Sequence, residues 1–410
     1  MKRFALATGL SLLLTATALP QSYSRQGRAT SRNPQTCLEI SRFLGFGKDW
    51  LVYPTVDFSF GTQFQLTDQQ FSPSGHSTSL VNTSDLTTIF RFAPRLIIYS
   101  DLTLDQITPP AQGKNSWLQS EGVFSSTLFL QYSDQFVTLG TGQFTPNFGI
   151  ANNLAPGIFG GDFVSDYSFS DQLGVFAALD FGKEQIGRHI LNGSLFTVDR
   201  SALSNSLFTR QGRTTAASGG PGNSGSLDSF CLAYNGIDVP ICSLPILQYQ
   251  LGFISQAAPQ GSTARQQGYV AGLAATIPIN RTATATAANR YSAIQPLLEY
   301  AHFDQWSSVN GATADYFTVG LEYFRGDWDL NASTTLRKTT DLPSQSAAHD
   351  LLAQATISYQ LYGYQTGGGN GQISAGWSYS KDQGVDSNTF AIQLSLSWDI
   401  ITRYQLLKGW

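Results

Sequence analysis

Charge is scarce in this 410-residue chain: 13% of its residues are Asp, Glu, Lys or Arg, about half the share of an ordinary soluble domain. What charge there is leans acidic, 24 basic residues against 28 acidic for a formal −4, so the basic footprint that nucleic acid requires is missing. Long apolar runs are missing as well. Beyond the N-terminus nothing approaches the ~18 consecutive apolar residues of a spanning helix, which leaves a closed barrel as the only way for this chain to cross a membrane. Cysteine is nearly absent. Of Cys37, Cys231 and Cys242 one is unpaired in any case; Cys231 and Cys242 are close enough in sequence to bridge in an oxidising compartment, and three free thiols is the equal alternative. The four histidines, His76, His189, His302 and His349, are scattered. There is no H-E-x-x-H, zinc spacing, P-loop or dinucleotide fingerprint, and no close grouping of His, Ser and an acid. The expectation is therefore no enzyme, no catalytic residue, no metal and no cofactor.

What is present begins with MKRFALATGLSLLLTATA: Lys2 and Arg3, an apolar run from Phe4 to Leu14, then Ala16-Thr17-Ala18. This reads as an export signal peptide over 1–18. Cleavage after Ala18 would remove Lys2 and Arg3 and lower the formal charge by two, from −4 to −6.

The rest of the chain alternates. In FAIQLSLSWDI (390–400) Phe390, Ile392, Leu394, Leu396, Trp398 and Ile400 are apolar, while Gln393, Ser395, Ser397 and Asp399 are polar. Successive strand side chains point to opposite faces, so this is a strand with one oily and one wet side. The same rhythm recurs over 55–66, 85–92, 93–104, 123–132, 136–144, 172–181, 189–198, 247–255, 268–279, 293–303, 316–324, 328–337, 351–362 and 372–380.

That makes fifteen strands, and single-chain bacterial barrels have an even number, with short periplasmic turns alternating with longer external loops. SLDSFCLAY (226–234) supplies a sixteenth, making Asn235 to Pro245 a periplasmic turn. The reading is an all-β, transmembrane antiparallel β-barrel of 16 strands, with 14 or 18 as alternatives and a soluble sandwich as the weaker rival. The barrel occupies 51–410 and follows a periplasmic segment 19–50 with a short helix over Thr36 to Leu44. External loops are expected at 67–85, 106–121, 145–171, 199–225, 256–267, 304–315, 338–350 and 381–388. The terminal Trp410 resembles an outer-membrane assembly signal.

After the fifth strand comes GQFTPNFGIANNLAPGIFGGDFVSDYSFSD (142–171). Phe144, Phe148, Ile150, Leu154, Ile158 and Phe159 are too apolar for a freely solvated loop, so the segment is expected to fold into the barrel as a constriction. Gly142-Gln143-Phe144-Thr145-Pro146-Asn147-Phe148-Gly149 resembles the G-x-F-x-P-x-F-G segment of the phosphate-selective porin O/P family and related Gram-negative outer-membrane porins. The likeness is specific over some forty residues and elsewhere rests on strand pattern. It implies a sixteen-stranded homotrimer whose third external loop narrows the lumen.

Selectivity departs from the family name. Anion selection needs clustered Arg or Lys, yet 145–171 holds neither, while Asp162, Asp166 and Asp171 are acidic. The expected constriction is Asp162, Asp166, Asp171 and Phe148. Alternation sends Arg91, Arg95, Glu299, Glu322, Asp329 and Arg337 to the pore lining, Glu299 near mid-height. These residues point to an outer-membrane porin passing small hydrophilic solutes or ions, with a weak cation or neutral preference and with membrane lipid as its surroundings. Two other readings are a plugged structural barrel that binds partners through loops such as 199–225, and a hydrolase built on His189 or His302.

Overall fold

A computed structural model describes residues 53–405 except 73–74, 109, 111–112, 183–185, 210–211, 241–245, 280–291, 341–346 and 363–368. The signal peptide, the segment 19–50, Cys37, Cys242 and Trp410 lie outside the described residues.

Sixteen of the described strands form one closed antiparallel barrel: Thr55–Ser72, His76–Ala93, Leu96–Gln106, Glu121–Ser133, Val137–Phe144, Gln172–Asp180, Arg188–Val198, Ser229–Pro240, Ile246–Gln256, Gln266–Pro278, Ala293–Asp304, Thr313–Arg325, Trp328–Thr340, Ala348–Tyr362, Gly369–Asp382 and Val385–Gln405. Each pairs with its chain neighbours, and Thr55–Ser72 closes the ring by pairing with both His76–Ala93 and Val385–Gln405. Two further two-residue strands, Ser116–Trp117 and Leu207–Phe208, belong to loops.

The alternation of the sequence becomes an inside and an outside. Leu251, Leu321, Leu336, Ile357, Ile373 and Ile392 stand bare on the outer surface, whereas Gln250, Thr318, Thr335, Gln354 and Ser374 are buried within. A soluble domain does the reverse. Left half-exposed to water, those six side chains would each forgo about 1 kcal/mol of burial, together comparable with the whole stability of a domain. The outer surface is therefore built for hydrocarbon, and the sandwich reading falls.

The sixteenth strand is present as Ser229–Pro240, so Asn235 to Pro240 is strand and not the expected turn. Cys231 on it is a free, buried thiol. Two expected loops shrink to hairpins. The first strands run to Ser72 and restart at His76, and Asp382 and Val385 flank the last turn.

Pairing in the wall is incomplete beside the fifth strand. Val137–Phe144 pairs with Glu121–Ser133 only from Leu128 onward, because the chain turns inward after Phe144. The loop 199–228 reaches into this gap: Leu207 and Phe208 pair with Val123 and Gly122, and the loop's own Asp199 and Ser206 are buried.

Candidate functional site

The loop 145–171 lies inside the barrel, as its apolar content required. It contains one turn of helix, Ala151–Leu154, and a 3-10 turn, Val164–Tyr167. Phe148 packs against Phe303 and Phe169 at 5.6 and 5.7 Å between ring centres, and Tyr167 lies 4.9 Å from Tyr316. These rings bind the loop to the wall. Phe148 is 5% exposed, so it is an anchor and not part of the bare constriction surface.

Glu299 also has a different place from the expected one. It points inward near mid-height, but the loop covers it and leaves it 1% exposed. Its carboxylate accepts the Tyr167 hydroxyl at 2.7 Å, the Ala151 N–H at 3.0 Å and the Ile150 N–H. The first N–H groups of a helix have no partner within it, so one carboxylate caps the turn and holds the returning arm of the loop together.

Further along, the Pro156 carbonyl accepts Gln354 Nε2 at 2.5 Å and Ser333 Oγ at 3.2 Å, and the Ile158 N–H donates to Thr356 Oγ1 at 3.2 Å. Asp166 accepts Arg337 Nη1 at 2.8 Å and the Tyr316 hydroxyl at 3.0 Å. Arg337 is 7% exposed, bonds Asp350 and Asp382 as well, and lies 4.3 Å from the Phe163 ring centre. It fastens the loop instead of lining an open path.

Glycine makes room for this seat. A Cβ on Gly320 would stand 2.5 Å from Pro156 Cδ, and one on Gly272 would stand 2.6 Å from Ile150 Cγ1. On Gly376 it would lie 3.2 Å from Ile158 Cδ1, and on Gly252 3.4 Å from Phe148 Cδ2. Four strands thus lack a side chain where the loop crosses them.

The loop contacts the inner wall from Ser229–Pro240 round to Gly369–Asp382. The first three strands carry the inward acids Asp85, Asp101 and Asp105, which sequence reading missed. Thr103 donates to Asp85 at 2.7 Å, Thr87 to Asp101 at 3.0 Å and Thr83 to Asp105 at 3.0 Å. Among the described residues no Lys or Arg pairs with these three. All keep partial solvent exposure inside the barrel, as do Asn153, Asp162 and Asp166 on the loop.

The other expected residues divide as follows. Asp162 reaches the lumen with its carboxylate unbonded, and burial, then the nearby Asp166, push it up to about 7. Asp171 sits at the root of the loop in a left-handed conformation and accepts Gln143 Nε2 at 3.4 Å. Arg91 is paired with Asp57. Arg95 occupies the turn before Leu96 and lies 3.5 Å from the Tyr132 hydroxyl. Glu322 and Asp329 flank a short turn, Asp329 accepting Gln372 Nε2 at 3.2 Å.

Among the described residues no three His, Cys, Asp or Glu side chains are placed to hold a metal ion. His302 is bonded to Asp315 and Asp304, and His189 to the hydroxyls of Tyr234 and Tyr249 and the Ile186 carbonyl.

No protein-family model matches the chain, and no curated protein matches it. The likeness to the O/P porins therefore stays with the 142–149 motif. Solved structures share the fold. OprB of Pseudomonas putida aligns with a TM-score of 0.53 at 12% identity, over 84% of this chain and 94% of that one. OmpF of Salmonella typhi, solved with daunomycin, gives 0.51 at 10% over 85% and 98%. The outer membrane channel DcaP of Acinetobacter baumannii gives 0.50 at 10% over 84% and 96%. At such identities the likeness is one of fold. That fold is the closed sixteen-stranded barrel of Gram-negative outer-membrane proteins.

Proposed function

We propose that this protein is an outer-membrane porin that lets small hydrophilic solutes or ions diffuse passively through a lumen narrowed by 145–171, with a preference for cations. Its partners are the surrounding lipid and the solutes, and the reading assigns it no reaction.

One observation carries the preference. Asp162 on the loop and Asp85, Asp101 and Asp105 on the inner wall all keep partial exposure inside the barrel, while the inward arginines Arg91 and Arg337 already have carboxylate partners. A path rich in carboxylates and poor in free cations favours positive solutes. The test is single-channel recording of refolded protein in a planar bilayer, with the reversal potential read under a salt gradient. Open steps with a cation-shifted reversal are expected. Replacing Asp85, Asp101 and Asp162 together by Asn should remove most of that shift without closing the channel. An anion-shifted wild type would refute the assignment, and an absence of steps from folded protein would favour the plugged, partner-binding barrel.

The preference should also depend on pH. With its acidity pushed up to about 7, the Asp162 carboxyl is neutral below that pH and anionic above it. The cation shift is therefore expected to be larger at pH 8 than at pH 5.5, and Asp162→Asn should reduce the difference between those two values.

A further inference from the structure

The lipid-facing wall is not level. Ala332 and Ala355 stand opposite each other on its outer side, and Thr334 and Ala353 do so two residues nearer the external end. Leu321 and Val319 rise on one side of these four small residues, and Trp377 and Tyr379 on the other. The result is a furrow along two strands. At its deeper end a cleft of about 610 Å³ is lined by Leu321, Ala332, Ala355, Ala375 and Trp377 among others. Thr334 makes no polar demand on whatever lies there, since its hydroxyl donates to the Leu352 carbonyl at 2.9 Å. In hydrocarbon, association is driven by close packing, and small side chains allow the approach.

Toward the end that carries the long loops, the same strands finish in charge. Lys338, His349 and Lys381 are exposed on the outer side, Lys338 opposite His349 and Lys381 opposite Leu351. Asp315 stands opposite Lys338 and Asp386 opposite Lys381. Both acids are engaged elsewhere, Asp315 with Tyr300 and His302 at 2.7 and 2.8 Å and Asp386 with Tyr379 at 2.9 Å. Among the described residues neither lysine forms an ion pair. The six residues from Ala332 to Lys338 span about 20 Å of strand and, at a ~45° tilt, rise about 14 Å, the hydrocarbon depth of one leaflet.

We infer that the furrow seats one acyl chain of an anionic, phosphate-bearing lipid of the external leaflet, whose phosphate is held by Lys338 and Lys381 beside His349. Lysine suits phosphate as a compact charge with rotatable donors. An apolar furrow that ends in these cations matches a molecule oily along its length and anionic at its head. The inference rests on the barrel's place in the outer membrane and not on conduction through it.

The refolded full chain in detergent is titrated with phosphatidic acid, with the diacylglycerol of the same chains and with inorganic phosphate, and bound molecules are counted by native mass spectrometry. One phosphatidic acid should bind per chain, more tightly than either of the other two. Lys338→Gln with Lys381→Gln should weaken it about 30-fold, the worth of two lysines beside an anionic headgroup, and leave diacylglycerol unchanged. Ala332→Leu with Ala355→Leu, which fills the furrow, should weaken both lipids; should that pair fail to fold, the lysines at the rim still decide. Both variants should conduct like the wild type in planar bilayers, so loss of lipid at unchanged current leaves the porin reading standing. Phosphatidic acid bound no more tightly than diacylglycerol or inorganic phosphate, binding unaffected by the substitutions, or a filled furrow that alters the number of copies per particle and not lipid binding would overturn the inference.

Discussion

Replacing Glu299 by Ala should enlarge the single-channel current and make it noisy while leaving the barrel folded. The carboxylate is buried and holds two backbone N–H groups and the Tyr167 hydroxyl. Removing it leaves three donors without their partner, at about 1–3 kcal/mol each. Even the lower total, about 3 kcal/mol, moves the seated-to-unseated ratio of the loop by more than 100-fold. The strands lose nothing comparable, because their ladder bonds are backbone to backbone. Glu299→Gln keeps an acceptor oxygen and should show a smaller increase. Planar-bilayer recording decides the matter: an unchanged, quiet conductance in Glu299→Ala would show that the loop is held without this carboxylate.

Gly320→Val should produce the same phenotype by a steric route. No bond is removed, but a Cβ there meets Pro156 Cδ at 2.5 Å, and Pro156 is held in turn by Gln354 and Ser333. Overpacking of this kind costs about 1–3 kcal/mol, and the cheapest relief is for the loop to lift. The backbone at Gly320 is ordinary strand, so the substitution should leave the barrel itself intact. Because both changes act on one loop, Glu299→Ala with Gly320→Val should raise the current by less than the sum of the two. Limited proteolysis within 145–171 offers a second readout, with faster cleavage in both variants than in wild type.

The barrel was legible because hydrocarbon demands an oily face on every strand, and that demand is written at period two. Where lipid ends, the demand ends. Beyond Leu66 and before Leu80 the first hairpin continues as Thr67-Asp68-Gln69-Gln70 and His76-Ser77-Thr78-Ser79, strand by hydrogen bonding yet loop by composition. Counting 67–85 as loop put Asp85 at the very end of its strand, which in fact runs on to His76. The acids facing it, Asp101 and Asp105, went unremarked although alternation sends both inward. Inward direction was readable for Glu299 and Arg337 too. What one strand cannot reveal is that a loop far away in sequence lies on top of them. The apolar side chains of 144–159 announced that the loop would be seated, but not which acid would hold it.

The inward turn after Phe144 also bears on the order in which the wall can be sealed. A chain that zips strand by strand reaches Phe144 with the stretch from Glu121 to Thr127 unpaired on that side, since pairing with Val137–Phe144 begins only at Leu128. Gly122 and Val123 find their partners in Phe208 and Leu207, after the loop and two more strands have been made. Until then an open strand edge persists, and open edges invite wrong pairing. On that order of assembly this corner closes late, and shortening 199–209 should slow maturation more than it alters the finished channel.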